Sequence, residues 1–271
     1  MHLGYNTNGF GSHSLESAID VIAGLGYRSI GITVDHHALN PFASDADAQA
    51  RHCRAQLERY QLLPVVETGA RFLLDPWNKH RPNLLDPDSG QRQRRIEFLL
   101  RCLALVPAIG GTTLSLWSGA AGSAESTEEL DKRLIAGLQE VCDAAAACGC
   151  VVAFEPEPGM HIESMADFDR LSEKFQHPAF QLTLDLGHAY LTESSVEETI
   201  LRYAGRIANV HIEGMRRPHH DHLVPWDSGY DVRAALGVLR DTGYRGAATL
   251  ELSRSGHDAV EIARRAYEFL S

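Results

Sequence analysis

The 271-residue sequence has no apolar run approaching the roughly eighteen residues that a membrane-crossing helix needs. Its opening, MHLGYNTNGF, lacks the basic start and apolar stretch of a secretion signal, so the expected location is the cytosol. Basic charge is also short: 25 Lys and Arg stand against 36 Asp and Glu, a formal net charge of −11. A nucleic-acid partner would call for a Lys/Arg surface and is therefore not expected. The local basic cluster RQRR, residues 92–95, reads as a solvated helix start. Cysteines number only five, an odd count. Cys53, Cys102 and Cys142 fall in helix-like stretches, and Cys148 and Cys150 are one residue too close for a CxxC pair, so neither a disulfide framework nor a structural zinc is expected. GxSxG, GxxxxGK[ST] and HExxH are all absent, and no cysteine sits in a nucleophile's context.

What is present is a repeating alternation. Eight short apolar or β-branched runs begin near residues 2, 29, 64, 112, 151, 180, 207 and 246, separated by segments of helical period. Leu15, Ala18, Ile19, Ile22 and Ala23 form one apolar stripe behind a Ser14 cap. Ser126 with Glu129, Ser164 with Asp167, Ser194 with Glu197, and Asp258 open further helices. Strand then helix, eight times, predicts a single-domain (β/α)8 barrel over residues 1–271. A doubly wound sheet would want a glycine-rich phosphate loop after its first strand, where only Gly9 and Gly11 occur. Residues 70–95 form a long insertion on the face where barrel enzymes place their chemistry.

The ends of runs five to eight carry Glu155 in VVAFEP, Asp185 in LTLDLGH, His211 in NVHIEG and Glu251 in ATLELS. A buried carboxylate with no partner costs several kcal/mol or more. Taken singly, each could be a salt-bridged strand end; four at equivalent positions on four consecutive strands suit a divalent cation, Mn, Mg, Co or Zn, with open coordination positions.

These residues and their motifs resemble the xylose isomerase-like superfamily of TIM barrels, which includes ketose epimerases, hydroxypyruvate isomerases, inosose dehydratases and the apurinic endonuclease group. The resemblance implies that Glu155, Asp185, His211 and Glu251 bind one divalent metal ion. It also implies that Glu155 and Glu251 move protons at the carbon beside a carbonyl, through a metal-stabilised enediolate. The implied reaction is isomerisation or epimerisation of a small sugar, sugar acid or cyclitol, with dehydration of a keto-polyol as the near neighbour. Family members often form dimers or tetramers, so a homo-oligomer is a further expectation.

The same resemblance implies substrate contacts for His188, Arg217 and Glu157, with Arg216 competing for the role of Arg217 and His161 lying near Glu157. Trp77 and His80 of the insertion could cap the substrate, Trp77 alternatively anchoring the loop. In the endonuclease branch, residues matching His188, His220 and His222 hold an additional zinc, although here His220 stands where that branch has an aspartate. That branch also has histidines where this chain has Glu67 and Trp117, which counts against a multi-zinc phosphoester hydrolase. A non-catalytic barrel with a structural metal is the remaining alternative.

Overall fold

A computed structural model of the chain describes residues 1–122 and 125–271. Eight parallel strands close into one barrel: β1 (His2–Asn6), β2 (Ser29–Thr33), β3 (Leu63–Glu67), β4 (Thr113–Trp117), β5 (Val151–Glu155), β6 (Phe180–Asp185), β7 (Ile207–Ile212) and β10 (Ala247–Leu250). They follow chain order around the barrel, β10 pairing with both β7 and β1. Helices α1 (Leu15–Gly24), α2 (Ala46–Tyr60), α3 (Ser89–Ala108), α4 (Thr127–Ala147), α5 (Met165–Lys174), α8 (Val232–Asp241) and α9 (Ala259–Leu270) fill the connections. After β6 the helical segment is split into α6 (Leu186–Thr192) and α7 (Val196–Tyr203). Beyond the expected repeat, β8 (Gly214–Arg216) and β9 (His219–Leu223) make a separate antiparallel hairpin.

Strand period divides the barrel into two environments. Outward residues pack on the helices, as where Phe180 of β6 stacks on Phe168 of α5 at 5.7 Å. Inward residues toward the upper half of the barrel include polar groups that bond across the interior: Ser115 Oγ lies 3.1 Å from Thr183 Oγ1, and Asn209 Nδ2 donates to Glu67 Oε1 at 3.1 Å. Gly31 is required there, because a Cβ would meet Asn6 Oδ1 at 1.7 Å. The strands are thus apolar toward the helices and, in that upper half, carry polar groups toward the axis, which lets their last inward positions hold ionisable side chains.

Most helix starts agree with the sequence. Ser14, Ser126 and Ser164 accept from the third residue onward, and Asp167 completes a reciprocal box with Ser164. Two details differ: α7 is capped by Ser195 rather than Ser194, and Asp258 precedes α9 without a side-chain cap bond. The expected solvated helix start at residues 92–95 holds for Gln93 and Arg94, which are exposed, and is corrected at Arg95. Arg95 is 3% exposed, donates to the Thr68 carbonyl at 2.9 Å and lies over the Phe98 and Trp117 rings, since a guanidinium's flat face packs well against aromatics. All five cysteines are free. Among the described residues no helix is long and apolar enough to cross a membrane.

His161 is part of the scaffold. Its Nε2 lies 2.7 Å from Oδ1 of Asp131 on α4, whose Oδ2 accepts from Lys174 at 2.8 Å and from Arg170. Burial alone would raise the Asp131 pKa, but these bonds overcome it and hold the carboxyl at about 2. Such depression stabilises the fold above the ordinary carboxylate range, and the gain is lost as pH falls toward 2. Asp131→Ala should cost about 2–3 kcal/mol in urea unfolding at neutral pH, below the full penalty of a broken buried pair because Arg170 and Lys174 reach water. The gap from the parent protein should narrow between pH 4 and pH 2; a pH-independent gap would trace the cost to packing instead.

Candidate metal centre and its cavity

The parallel register brings the four strand-end residues together. Glu155 and Asp185 end β5 and β6, His211 pairs with Asp185 across β7, and Glu251 follows β10 directly. One ligand atom from each lies within 4.8 Å of every other. His211 Nδ1 is 3.0 Å from both Glu155 Oε1 and Glu251 Oε2. Asp185 divides its carboxylate: Oδ1 accepts the His188 N–H at 2.7 Å as the cap of α6, while Oδ2 is buried without a hydrogen-bond partner. Asp185 is 2% exposed, and a buried carboxylate oxygen with no donor is free to ligate a cation. The donor set of three carboxylates and one imidazole fits a hard or borderline divalent ion.

Electrostatics point the same way. Burial, opposed by His211, pushes Asp185 up to about 7, and burial likewise raises Glu155. Burial would lower His211, yet Glu155, Glu67 and Glu251 push it well above its ordinary value; Glu251, against its own burial, is held low by His211. Protons and one imidazolium thus offset charge that a divalent cation would offset more completely.

Three supporting residues, Glu67, Asn209 and Asn8, were not singled out for this role from sequence. Glu67 Oε1 lies 3.0 Å from His211 Nε2, and Asn209 Nδ2 donates to the same oxygen. With Nε2–H donating to Glu67, Nδ1 is left facing Glu155 and Glu251 as a ligand nitrogen, the carboxylate–histidine arrangement common behind metal sites. Asn8 Nδ2 donates to Glu251 Oε1 at 2.9 Å. The signal for Glu67 was present: it ends β3 as Glu155 ends β5.

A cavity of about 120 Å³ opens above the cluster. Glu157, His188, His222 and His80 line it, with Lys79 and Arg71. Burial, then Glu155, Glu251 and Asp185, raises Glu157 well above the ordinary carboxylate range. His80 is pinned by Gly69, its Nδ1 donating to that carbonyl at 2.7 Å.

Other expected residues lie elsewhere. Arg217 is exposed, stacks on Tyr190 and donates to the Tyr190 and Glu193 carbonyls at 2.8 Å, so it closes the end of α6, whose last carbonyls lack helix partners, and does not line the cavity. Arg216 pairs with Asp227 on the surface. Trp77 is 88% exposed at a loop tip set by Asp75, which accepts its N–H; it neither lines the cavity nor anchors the loop.

The histidine-rich segment is the β8–β9 hairpin, and it forms a second group of donors. His188 Nε2 is 3.1 Å from His220 Nε2 and 3.4 Å from Glu213 Oε1, an oxygen buried without a hydrogen-bond partner. The structure gathers His188 and His220 with Glu213 rather than with His222, whose Nδ1 bonds the other oxygen of Glu213. Burial lowers all three histidines to about 4, so they stand as neutral imidazoles. Glu213 was missed from sequence, although two residues after inward-facing His211 a strand returns to the same face.

Comparison with known proteins agrees with this architecture. The chain is 25% identical over 163 residues to an inosose dehydratase of Lacticaseibacillus casei, covering 53% of this chain and 55% of that protein, so it spans about half that relative's length. It is 24% identical over 204 residues to the L-ribulose-5-phosphate 3-epimerase UlaE of Escherichia coli O1:K1 / APEC, covering 74% of this chain and 72% of that one. In fold it resembles the apo 3-keto-D-glucoside 4-epimerase YcjR from E. coli, with a TM-score of 0.81 at 17% identity over 100% of this chain and 98% of that one. A family description, the xylose isomerase-like TIM barrel, matches residues 19–271, and the chain belongs to that family.

Proposed function

We propose that the protein is a divalent-metal-dependent isomerase or epimerase of a small sugar, sugar acid or cyclitol. The observation that carries this reading is the group of four donors within 4.8 Å, with Asp185 Oδ2 buried and unpartnered at its edge. Glu155, Asp185, His211 and Glu251 would hold the ion, which when bound supplies Lewis acidity toward carbonyl and neighbouring hydroxyl oxygens. His188, Glu213 and His220 offer a second, nitrogen-rich set suited to zinc.

Glu155 and Glu251 carry the proton transfers in this reading. They arrive from β5 and β10, separated around the barrel by β6 and β7, and so reach the centre from two directions. One removes the proton beside the carbonyl and the other returns one; return to the opposite face inverts the carbon. Asn8 fixes the Glu251 oxygen that does not face His211, and Glu67 fixes the far side of His211. His188 and Glu157 line the cavity, and in this reading they touch substrate oxygens.

The second reading is dehydration at the same centre, favoured by the inosose dehydratase relative. The two diverge after proton removal: expulsion of a β-hydroxyl in place of reprotonation makes the enzyme a dehydratase. A multi-zinc hydrolase is poorly supported, since Glu67 is engaged with His211 and Trp117 brings no metal-binding group.

Three measurements test the reading. Plasma mass spectrometry of protein purified without chelator should find about one divalent metal per chain, lost in a Glu155→Ala, Asp185→Ala double variant; two or more zincs per chain would bring the second set into play. With an accepted ketose, solvent deuterium should enter the carbon beside the carbonyl without loss of water, and Glu155→Gln or Glu251→Gln should slow this by about 10²–10⁴-fold. Unimpaired exchange in both variants would remove the acid–base assignment, and a new enone absorbance would select the dehydratase. Glu67→Gln should weaken metal binding by about 10–100-fold, read by competition with a chromogenic chelator, through His211 rather than through any direct contact.

A further inference from the structure

We propose that the loop between β3 and α3 carries a subsite for a terminal anionic group of the substrate, a carboxylate or a phosphate, held by Arg71 and Lys79 at the rim of the cavity above the metal-binding cluster. This deepens the ketose reading above and rests on it only for the rest of the substrate. The cavity is lined by Glu67, Glu155, Glu157 and Glu251, and among its lining residues Arg71 and Lys79 are the only permanently cationic side chains. Cations placed merely to neutralise those acids would be expected to pair with them. Among the described residues Arg71 makes one side-chain hydrogen bond, from Nη2 to the Asn8 carbonyl at 3.3 Å, and neither cation forms an ion pair with a carboxylate. Their remaining donors are uncommitted.

The loop is closed by its own hydrogen bonds. The His80 N–H donates to the Arg71 carbonyl at 2.6 Å, which closes residues 71–80, and Arg71 and Lys79 near its two ends both line the cavity. His80 Nδ1 then ties the closed segment to the Gly69 carbonyl at 2.7 Å, and the Trp117 edge abuts its ring. Asp75 accepts from the backbone of Trp77 and Asn78, and Arg94 of α3 reaches the Leu74 carbonyl. His80 itself adds no charge, because burial pushes it down to about 4.

Function follows from the field. An acidic floor repels an anionic substrate, and a pair of cations at one side of the rim both admits it and orients it. The anionic end stays at the rim while the carbonyl end reaches Glu155 and Glu251. A guanidinium and an ammonium accept either a carboxylate or a phosphate, so the geometry assigns the charge and the measurement assigns the group.

The test is isothermal titration calorimetry of the manganese-loaded protein with fructose and tagatose, their 6-phosphates, and fructuronate and tagaturonate, in which the terminal CH₂OH is a carboxylate. At least one anionic compound should bind about 10–100-fold more tightly than its neutral parent, as one or two charge-assisted contacts would give. Whether phosphate or carboxylate gains more identifies the group. Arg71→Gln and Lys79→Gln should each remove most of that advantage, read as the ratio of anionic to neutral affinity within the same variant, and Lys79→Arg should restore it. No anionic preference in any pair, absence of binding by all six compounds included, overturns the proposal, as does a preference that survives the double variant. Solvent deuterium incorporation is read separately: anionic preference without exchange leaves the subsite standing and sinks the epimerase reading instead.

Discussion

The constraint on which the rest of the structure depends is the repulsion among buried carboxylates at the barrel mouth. Two like charges about 4 Å apart cost roughly 4 kcal/mol even at an effective dielectric near 20, and a domain's whole stability is about 5–15 kcal/mol. Glu67, Glu155, Asp185, Glu213 and Glu251 are gathered around His188 and His211, so several such penalties would together exhaust that stability if all were ionised and unpaired. His211 is the hub of the compensation. Its two ring nitrogens face Glu67 on one side and Glu155 with Glu251 on the other, and so an imidazolium can serve all three. A cation on the Nδ1 side would take the place of that proton, with Nε2–H left on Glu67.

The barrel supplies what this cluster requires. Bonds such as Ser115 to Thr183 and Asn209 to Glu67 cross the interior beneath the site, fixing the strand ends relative to one another. Above the site, Asn8 links two functions. Its amide holds Glu251, and its carbonyl accepts Arg71 of the β3–α3 loop. Asn8 therefore bridges the rim of the cavity and the carboxylate at its floor.

Much of this was legible in the sequence, and the failures have physical reasons. The barrel follows from period: apolar runs alternating with capped amphipathic segments leave few other architectures. The four strand-end residues stood out because each interrupts an apolar run at the same point, and the parallel register then brings them together. Glu67 ends β3 in the same manner, but its weight shows only when Asn209 and His211 are seen to meet it across the barrel. Glu213 gives a weaker signal, because it lies just past the end of β7 and shows its place only when His188 and His222 are seen to meet it. Arg217 went astray through a competition invisible in sequence: the unsatisfied carbonyls at the end of α6 offer a guanidinium closer partners than the cavity does. Trp77 failed similarly, since local bonds to Asp75 place it at the tip of the loop.

His188 ties the two donor groups together, and its hydrogen bonds determine how. Nδ1 faces the Pro156 carbonyl at 3.2 Å, an atom that can only accept, with Glu155 Oε1 at 3.4 Å beyond it. In the neutral ring favoured by burial, the proton must therefore sit on Nδ1, and the lone pair on Nε2 turns to His220 and Glu213. His188 thus donates from Nδ1 to the backbone carbonyl beside Glu155 and turns Nε2 toward the second group. Asp185 caps the helix that carries His188 with one oxygen and offers the other to the first group, so the short step from β6 into α6 sets the geometry of both. The groups remain chemically distinct, carboxylate oxygens dominating one and imidazole nitrogens the other. Their common dependence on residues 185–188 makes that stretch the place where a single substitution acts on both.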